Sequence, residues 1–364
     1  MSIYDIDGNP IGGSSEITDE DIKRAYISAI ASGAVNPGAV VGATLSYNIS
    51  KPAWLANGET QYAAMLAVYK NLPNNSIPFF ISTDQHGAGL EWNRWANNMD
   101  VDGMEYANIN LGDTINWTVF SQLDALIPRV KQVKNYISTP GNHDYQSNAT
   151  YTDYDMTPYE ATKAFLSTRE RRMLDPNSDT YVVVDGLHNA KFLVADNYWL
   201  NGNGQQQNDE ITGSFCNALI GELSKDDFDV VYLQHWYPFA VASELLKRDG
   251  TPSTGYNPGG SHAVRTILAA RKAKAQGTVT DADGVSHAYD FRNMEHDLLC
   301  CLSGHMHLEM YGYLDGVLCY IADVIVHNTA SCFGIVDRQN GLLRIWAWND
   351  NEALAEFDIP LTQT

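Results

Sequence analysis

The sequence predicts an α/β fold. Two observations carry this: five short apolar runs between residues 77 and 302 each end in a polar, loop-forming cluster, and helical segments lie between them. A buried strand whose carboxyl end opens into a loop, followed by a helix, is the unit from which open α/β sheets are built. Residues 1–75 lack this rhythm and read as an N-terminal extension, helical plus loop, ahead of a single domain over 76–364.

In chain order, Thr18 followed by Asp19, Glu20 and Asp21 makes a helix start for the apolar periodicity of Ile22–Ile30, and a second helix is expected over Thr60–Leu72. Ile77–Ser82 then runs into Thr-Asp-Gln-His, Ala107–Leu111 into Gly-Asp, and Tyr136–Ser138 into Pro-Gly-Asn-His-Asp. Val230–Leu233 runs into Gln-His-Trp-Tyr-Pro and Leu298–Leu302 into Ser-Gly-His-Met-His. Helices are expected over Ser121–Lys134, Thr157–Arg171, Asp209–Leu223, Pro238–Lys247 and Ser261–Ala275. Tyr181–Asp185 and Lys191–Asp196 flank a turn and read as a hairpin. Val317–Ala322, Cys332–Val336 and Leu342–Trp348 read as antiparallel strands, the last two joined by an Asp-Arg-Gln-Asn-Gly turn. Thr251–Gly260 is a Gly/Pro/Ser/Thr-rich loop.

Composition bounds the function. With 44% hydrophobic and 18% charged residues, the chain has material for a large core. Its net charge of −21 repels polyanions, and the densest basic stretches, Arg169–Arg172 and Arg271–Lys274, read as solvated helix faces. A nucleic acid polymer is therefore an unexpected partner, and a small substrate is the expected one. The five cysteines are irregularly spaced with no CxxC, which argues against a disulfide framework or a sulfur metal site; Cys300 and Cys301 lie in an apolar run and read as buried thiols. Residues 25–50 are uncharged but carry Pro37, Asn36, Asn48 and several glycines, too many breakers for a membrane span. With no basic n-region before an apolar stretch, the chain reads as soluble, either cytoplasmic or released by lysis.

The strand ends carry the chemistry. Asp84-Gln85-His86 places a carboxylate and an imidazole two residues apart, and Gly112-Asp113 adds a second carboxylate. Gly141-Asn142-His143-Asp144 follows a glycine that permits a tight turn. His235 ends the fourth run, and Gly304-His305-Met306-His307 sets two imidazoles on one side of an extended segment. Singly each is weak. Together, all five lie at carboxyl ends of strands, the edge where open α/β sheets build sites. Oxygen and imidazole donors in this mixture suit borderline first-row metals, Mn²⁺, Fe²⁺/Fe³⁺ or Zn²⁺.

In this order the motifs resemble the calcineurin-like metallophosphoesterase family. The match spans residues 79–307, with Asp84 to Asp113 and Asp113 to Asn142 both separated by 29 residues. The resemblance implies a four-layer α/β/β/α sandwich of the metallophosphoesterase type, with the site at one rim. It implies two divalent metal ions, the first held by Asp84, His86 and His307, the second by Asn142, His235 and His305, with Asp113 shared. It implies hydrolysis of phosphate mono- or diesters by a bridging hydroxide, with His143 beside the leaving oxygen. Asp144 would either orient His143 or cap the following turn. Gly112-Asp113 continues as Thr114-Ile115-Asn116-Trp117, which lacks the Asp-Arg-Gly continuation of protein phosphatases and the iron-binding tyrosine of purple acid phosphatases. Trp117, Trp236 and Tyr237 follow the ligand loops and could stack a base or pack the rim; His262, Asn197 and Tyr198 are further pocket candidates, with His262 reading first as a helix cap or surface residue. Competing readings are a catalytically idle metal-binding module, for example phage- or surface-associated, and a nuclease, which the acidic charge disfavours.

Overall fold

The computed structural model describes residues 71–73, 75–86, 106–114, 135–145, 171–175, 180–196, 199–200, 206–207, 213–236, 245–253, 262–323, 329–349 and 355–363. In chain order the elements are β1 (Ser76–Ser82), β2 (Ala107–Asn110), β3 (Tyr136–Ser138), α1 (Asn142–Tyr145), β4 (Arg172–Met173), β5 (Tyr181–Asp185), β6 (Ala190–Val194), β7 (Trp199–Leu200) and β8 (Gln206–Gln207). There follow α2 (Gly213–Leu223), β9 (Asp229–Leu233), β10 (Leu246–Lys247), α3 (His262–Lys272), β11 (Gln276–Thr280), β12 (Ser286–Asp290) and β13 (Leu298–Ser303). The chain closes with β14 (Met310–Leu314), β15 (Val317–Ile321), β16 (Thr329–Asp337), β17 (Leu342–Asn349) and β18 (Ala355–Pro360).

Two sheets form the frame. One has six strands in the order β18-β17-β16-β1-β2-β3, the other eight in the order β10-β14-β15-β13-β9-β6-β5-β4. Within each, the strands that feed the site run parallel: β1, β2 and β3 in the first, β9 and β13 in the second. These strands are apolar almost throughout and buried along their length, as parallel strands covered on both faces must be.

The apolar core falls into two clusters. One is shared by the facing sides of the two sheets, where Phe79, Ile81 and Ile109 meet Phe192, Val231, Leu302 and Tyr320. The other lies on the far face of the eight-stranded sheet, where Leu219, Leu223, Val264, Ile267 and Leu268 of α2 and α3 cover Val230, Tyr232, Cys301 and Cys319. Helix, sheet and sheet are thus three stacked layers; the expected fourth, on the outer side of the six-stranded sheet, lies outside the described residues. So do most of residues 1–75, the helix expected over Ser121–Lys134 and all but the last residue of the helix expected over Thr157–Arg171. Cys216, Cys300, Cys301 and Cys319 are buried free thiols. No helix among the described residues is long and apolar enough to cross a membrane.

Several local expectations are corrected. The helix expected over Pro238–Lys247 does not reach its end: Leu246 and Lys247 pair with Met310 and Tyr311 as β10. Lys247 is followed by a tight turn in which Gly250 adopts φ 78°, and that turn fixes an extended strand. Val317–Ile321 pairs antiparallel with β14, as expected of it, but belongs to the eight-stranded sheet and pairs in parallel with β13 on its other edge, whereas Cys332–Val336 and Leu342–Trp348 pair antiparallel in the six-stranded one. The hairpin β11–β12, turning at Asp281–Val285, was not expected from apolar alternation because both its strands are largely exposed. Arg271 is fully buried rather than solvated: its Nε donates to Leu223 O at 2.9 Å and Nη2 to His296 O at 2.6 Å. Arg172 lies in β4, where it meets Glu222 at 2.8 Å.

Candidate metal centre

The carboxyl ends of β1, β2, β3, β9 and β13 open onto one rim. The loops there are tied to one another through the backbone. Asp84 N donates to Gly112 O and His86 N to Asp113 O, both at 2.9 Å, while Gly304 N donates to His235 O at 3.0 Å. Such lacing forces sharp turns. Asp84, His86, Asp113, His305 and His307 all adopt left-handed backbone conformations, with φ of 53°, 48°, 52°, 72° and 55°. Non-glycine residues cost about 1–2 kcal/mol each there, so five at one rim is a concentration of strain of the kind found at functional sites. Gly112 permits the close crossing: a Cβ on it would stand 2.8 Å from Gly141 N and 2.7 Å from His235 Nδ1.

The side chains converge. Three groups of donors each lie within 4.8 Å of one another: Asp84, His86 and His307; His86, Asp113 and His143; and Asp113, His235 and His305. His86 Nε2 faces His307 Nε2 at 3.0 Å, and His307 Nε2 stands 3.1 Å from Asp84 Oδ1. His235 Nε2 is 3.4 Å and His143 Nε2 3.9 Å from Asp113 Oδ2. The carboxylates are held by their other oxygens. Asp84 Oδ2 accepts from Thr83 Oγ1 at 2.6 Å and from His305 N at 2.9 Å. Asp113 Oδ1 accepts from His143 N at 2.8 Å. His235 Nδ1–H donates to Leu111 O at 2.6 Å, and in that tautomer Nε2, on the Asp113 side of the ring, carries the lone pair a metal would take.

These are the features a cation site requires. Asp84 Oδ1 is buried and accepts no aligned hydrogen bond. Two imidazole nitrogens point at each other across a hydrogen-bond distance that a shared ligand position explains better than a single proton. The donor set is oxygen and imidazole, without sulfur. The residues present therefore fit divalent metal.

The electrostatics follow from burial. Burial works to raise the Asp84 carboxyl, but close contact with His307 and the charge of His235 outweigh it and hold it well below the usual carboxylate range. For His235, burial favours the neutral ring, yet the Asp113 carboxylate draws its pKa up to about 9. His305 goes the other way, driven down to about 3 by burial and then by His235. Burial likewise lowers His86 and His143, whereas Asp84 raises His307. The centre is graded in access: the His235 side chain is 1% exposed and the His307 side chain 40%.

Of the sequence candidates, the structure brings together Asp84, His86, Asp113, His143, His235, His305 and His307. The backbone of Asn142 opens α1 beside them, and its side chain lies outside the described residues. Asp144 Oδ2 accepts from Gly141 N at 2.8 Å, so its carboxylate caps the turn that carries Asn142 and His143. His262 is exposed at the first residue of α3. Trp117, Tyr237, Asn197 and Tyr198 lie outside the described residues.

Two supporting groups were not singled out from sequence. Asn110, wholly buried in β2, accepts from Gly112 N at 3.0 Å through Oδ1. Its Nδ2 donates to Thr114 Oγ1 at 2.9 Å, Tyr136 Oη at 3.0 Å and Gln85 Oε1 at 3.4 Å. A polar residue inside an apolar strand is the only sequence signal. Gln234, the second, donates to Trp236 O and accepts from Tyr232 Oη at 2.7 Å.

No family model and no curated protein matches the chain. Solved structures do. A conserved uncharacterized protein of Streptococcus pneumoniae TIGR4, described as a predicted phosphoesterase, is 10% identical with a TM-score of 0.31, over 78% of this chain and 98% of that one. GAP50, the anchor in the inner membrane complex of Plasmodium, is 10% identical with a TM-score of 0.41, over 79% and 90%. The phosphopantetheinyl hydrolase of Mycobacterium tuberculosis is 11% identical with a TM-score of 0.35, over 70% and 92%. Likeness at this level leaves the chemistry to be argued from the side chains themselves.

Proposed function

We propose that this chain is a binuclear metal-dependent hydrolase of phosphate mono- or diesters. The observation that carries the reading is the place of Asp113, whose carboxylate belongs both to the group with His86 and His143 and to the group with His235 and His305. Two cations about 3.5–4 Å apart need a shared anionic ligand against their mutual repulsion. Asp84, His86 and His307 would hold the first with Asp113, and His235, His305 and Asn142 the second. When bound, such a pair supplies Lewis-acid stabilisation of phosphoryl oxygens and a water of pKa near 7.

The other roles belong to the protein. Thr83 and the His305 amide turn Asp84 so that Oδ1 faces the site. Leu111 O holds His235 in the tautomer that presents Nε2. His143 is anchored by its amide to Asp113 and leaves its ring partly exposed, where Nε2 would hold a substrate oxygen and pass a proton to the leaving group. Mn²⁺, Fe²⁺/Fe³⁺ and Zn²⁺ all suit this donor set.

The test is elemental analysis of purified protein together with turnover of p-nitrophenyl phosphate and bis(p-nitrophenyl) phosphate in added Mn²⁺. Asp113→Asn is expected to lose metal. His143→Ala is expected to keep metal and lose roughly 10²–10⁴-fold in turnover. Metal-loaded protein inactive on both esters across pH would point to an idle metal-binding module; a fully active His143→Ala would remove the role given to that imidazole.

A further inference from the structure

Trp236 follows His235 in the loop after β9. Its indole lies against the His305 imidazole, with ring centroids 3.7 Å apart and planes inclined by 33°. A tryptophan that only fills core packs among apolar side chains and sends its N–H to an acceptor. Trp236 belongs to neither apolar cluster. It is 7% exposed, and its Nε1 is buried with no hydrogen-bond partner among the described residues. Its backbone is braced instead, since Trp236 O accepts from Gln234, itself held by Tyr232.

The two donor groups differ in this respect. His86 meets His143 and His307 edge to face, at 79° and 65°. His235 meets His305 at 74°. At His305 it is the indole face of Trp236 that is laid over the imidazole. His305 is also a residue whose backbone, at φ 72°, no regular element fixes.

We infer that Trp236 is a positioning residue for the second cation, its indole face setting the His305 ring and favouring that ring in its metal-bound form. An imidazole bound to a divalent ion carries part of the ion's charge. The indole face is the most electron-rich of the natural aromatic surfaces, so it attracts the charged ring more strongly than the neutral one. The ring is thereby oriented before the ion arrives, as outer partners of metal-bound histidines do by hydrogen bonding elsewhere. The effect falls on the site of His235 and His305, because His305 is the ring the indole touches. This inference rests on the binuclear reading above.

The test is calorimetric titration of metal-stripped wild type, Trp236→Leu and Trp236→Phe with Mn²⁺ alone. Wild type is expected to bind two ions. Trp236→Leu is expected to weaken the second by about 10–100-fold and leave the first unchanged; Trp236→Phe, which restores an aromatic face, is expected to recover most of the loss. Wild type binding no Mn²⁺ would overturn the binuclear reading and this inference with it. Two ions bound by Trp236→Leu with wild-type affinities would overturn the inference alone. So would equal weakening of both ions with a lowered unfolding midpoint, the mark of a purely structural role. Should Trp236→Leu not fold, the Phe protein decides by fluorescence on Co²⁺ loading. An indole stacked on a ligand is strongly quenched, so loss of that quench in Trp236→Phe supports the stack, and a quench identical to wild type overturns it.

Discussion

Five candidate donor residues in left-handed conformations make the rim expensive to fold, and two small features make it possible. Gly112 supplies the space in which the second and third loops cross, and Asn110 supplies the hydrogen bond that keeps the Gly112 amide from being stranded in the interior. Gly112→Ala places a methyl against Gly141 and His235 at a residue with φ 94°. It is expected to destabilise the metal-free protein by about 1–3 kcal/mol in urea unfolding and to weaken metal binding. Asn110→Ala leaves the Gly112 amide and the Tyr136 hydroxyl without that partner. A loss of about 1–3 kcal/mol for each group left unsatisfied is the expected result of the same measurement. At this scale the Asp and His side chains that the structure brings together were legible, because Asp, His and Gly at strand ends announce themselves in the sequence. Asn110 was not, since its role depends on what lies across the fold from it; Trp236 was read as stacking a base or packing the rim and lies against His305, and Asp144, open between two roles, accepts from the Gly141 amide.

At the scale of elements, strands were read more surely than their partners. The runs at 77–82, 107–111, 136–138, 230–233 and 298–302 all became strands, within a residue or so at the ends. Val317–Ile321 was also a strand, but its sheet is set by tertiary pairing that local pattern does not encode. The exposed β11–β12 hairpin has no apolar alternation to betray it. Basic residues misled in a similar way: Arg271 reads as surface by its type and is buried because carbonyls at Leu223 and His296 receive it. Between β6 and α2 a further buried charge group ties sheet to helix. Lys191 Nζ reaches Glu222 Oε1 at 2.9 Å and Asp227 Oδ1 at 2.7 Å, and Glu222 Oε2 meets Arg172 at 2.8 Å and Lys225 at 2.9 Å. Burial alone would raise the Glu222 carboxyl, but Lys191 and then Arg172 outweigh it and lower its pKa. A carboxyl depressed in the folded state adds stability above its unfolded value, near 4.3, and loses it as pH falls toward the folded value. Glu222→Gln is expected to cost about 3–5 kcal/mol at neutral pH and to show a shallower decline in stability between pH 5 and acid than wild type, as read from urea midpoints across pH.

For the whole molecule, a four-layer sandwich was expected; two sheets sharing an apolar core and one layer of helices are described, while the expected fourth layer and most of the expected N-terminal extension fall outside the described residues. What sequence could not give is how the sheets are fastened. At the edge opposite the candidate metal centre, Arg338 in the β16–β17 turn donates from Nε to Asn75 O at 2.6 Å, from Nη2 to His188 O, and from Nη1 to Asn189 O at 3.3 Å and Asp229 Oδ2 at 2.7 Å. One guanidinium thus bridges the start of β1 to the β5–β6 turn and β9. Arg338→Met is expected to lower stability by about 2–3 kcal/mol, the range for a charged hydrogen bond, without changing the first metal affinity. Arg338→Lys is expected to recover little, since an ammonium does not reproduce the planar fork.

The centre itself draws on both sheets. Asp84, His86 and Asp113 come from the six-stranded one, His235, His305 and His307 from the eight-stranded one. Ions gripped by both sets would act as a rivet across the seam, while Arg338 latches the far end. The sandwich would then behave as a book pinned at both covers. Stripping metal from wild type saturated at about 100 times its dissociation constant should remove about 2.7 kcal/mol. Stripping it from Arg338→Met should remove the last pin, so that the sheets part together and backbone amides of β1 and β9 exchange with solvent far sooner than either change alone would cause.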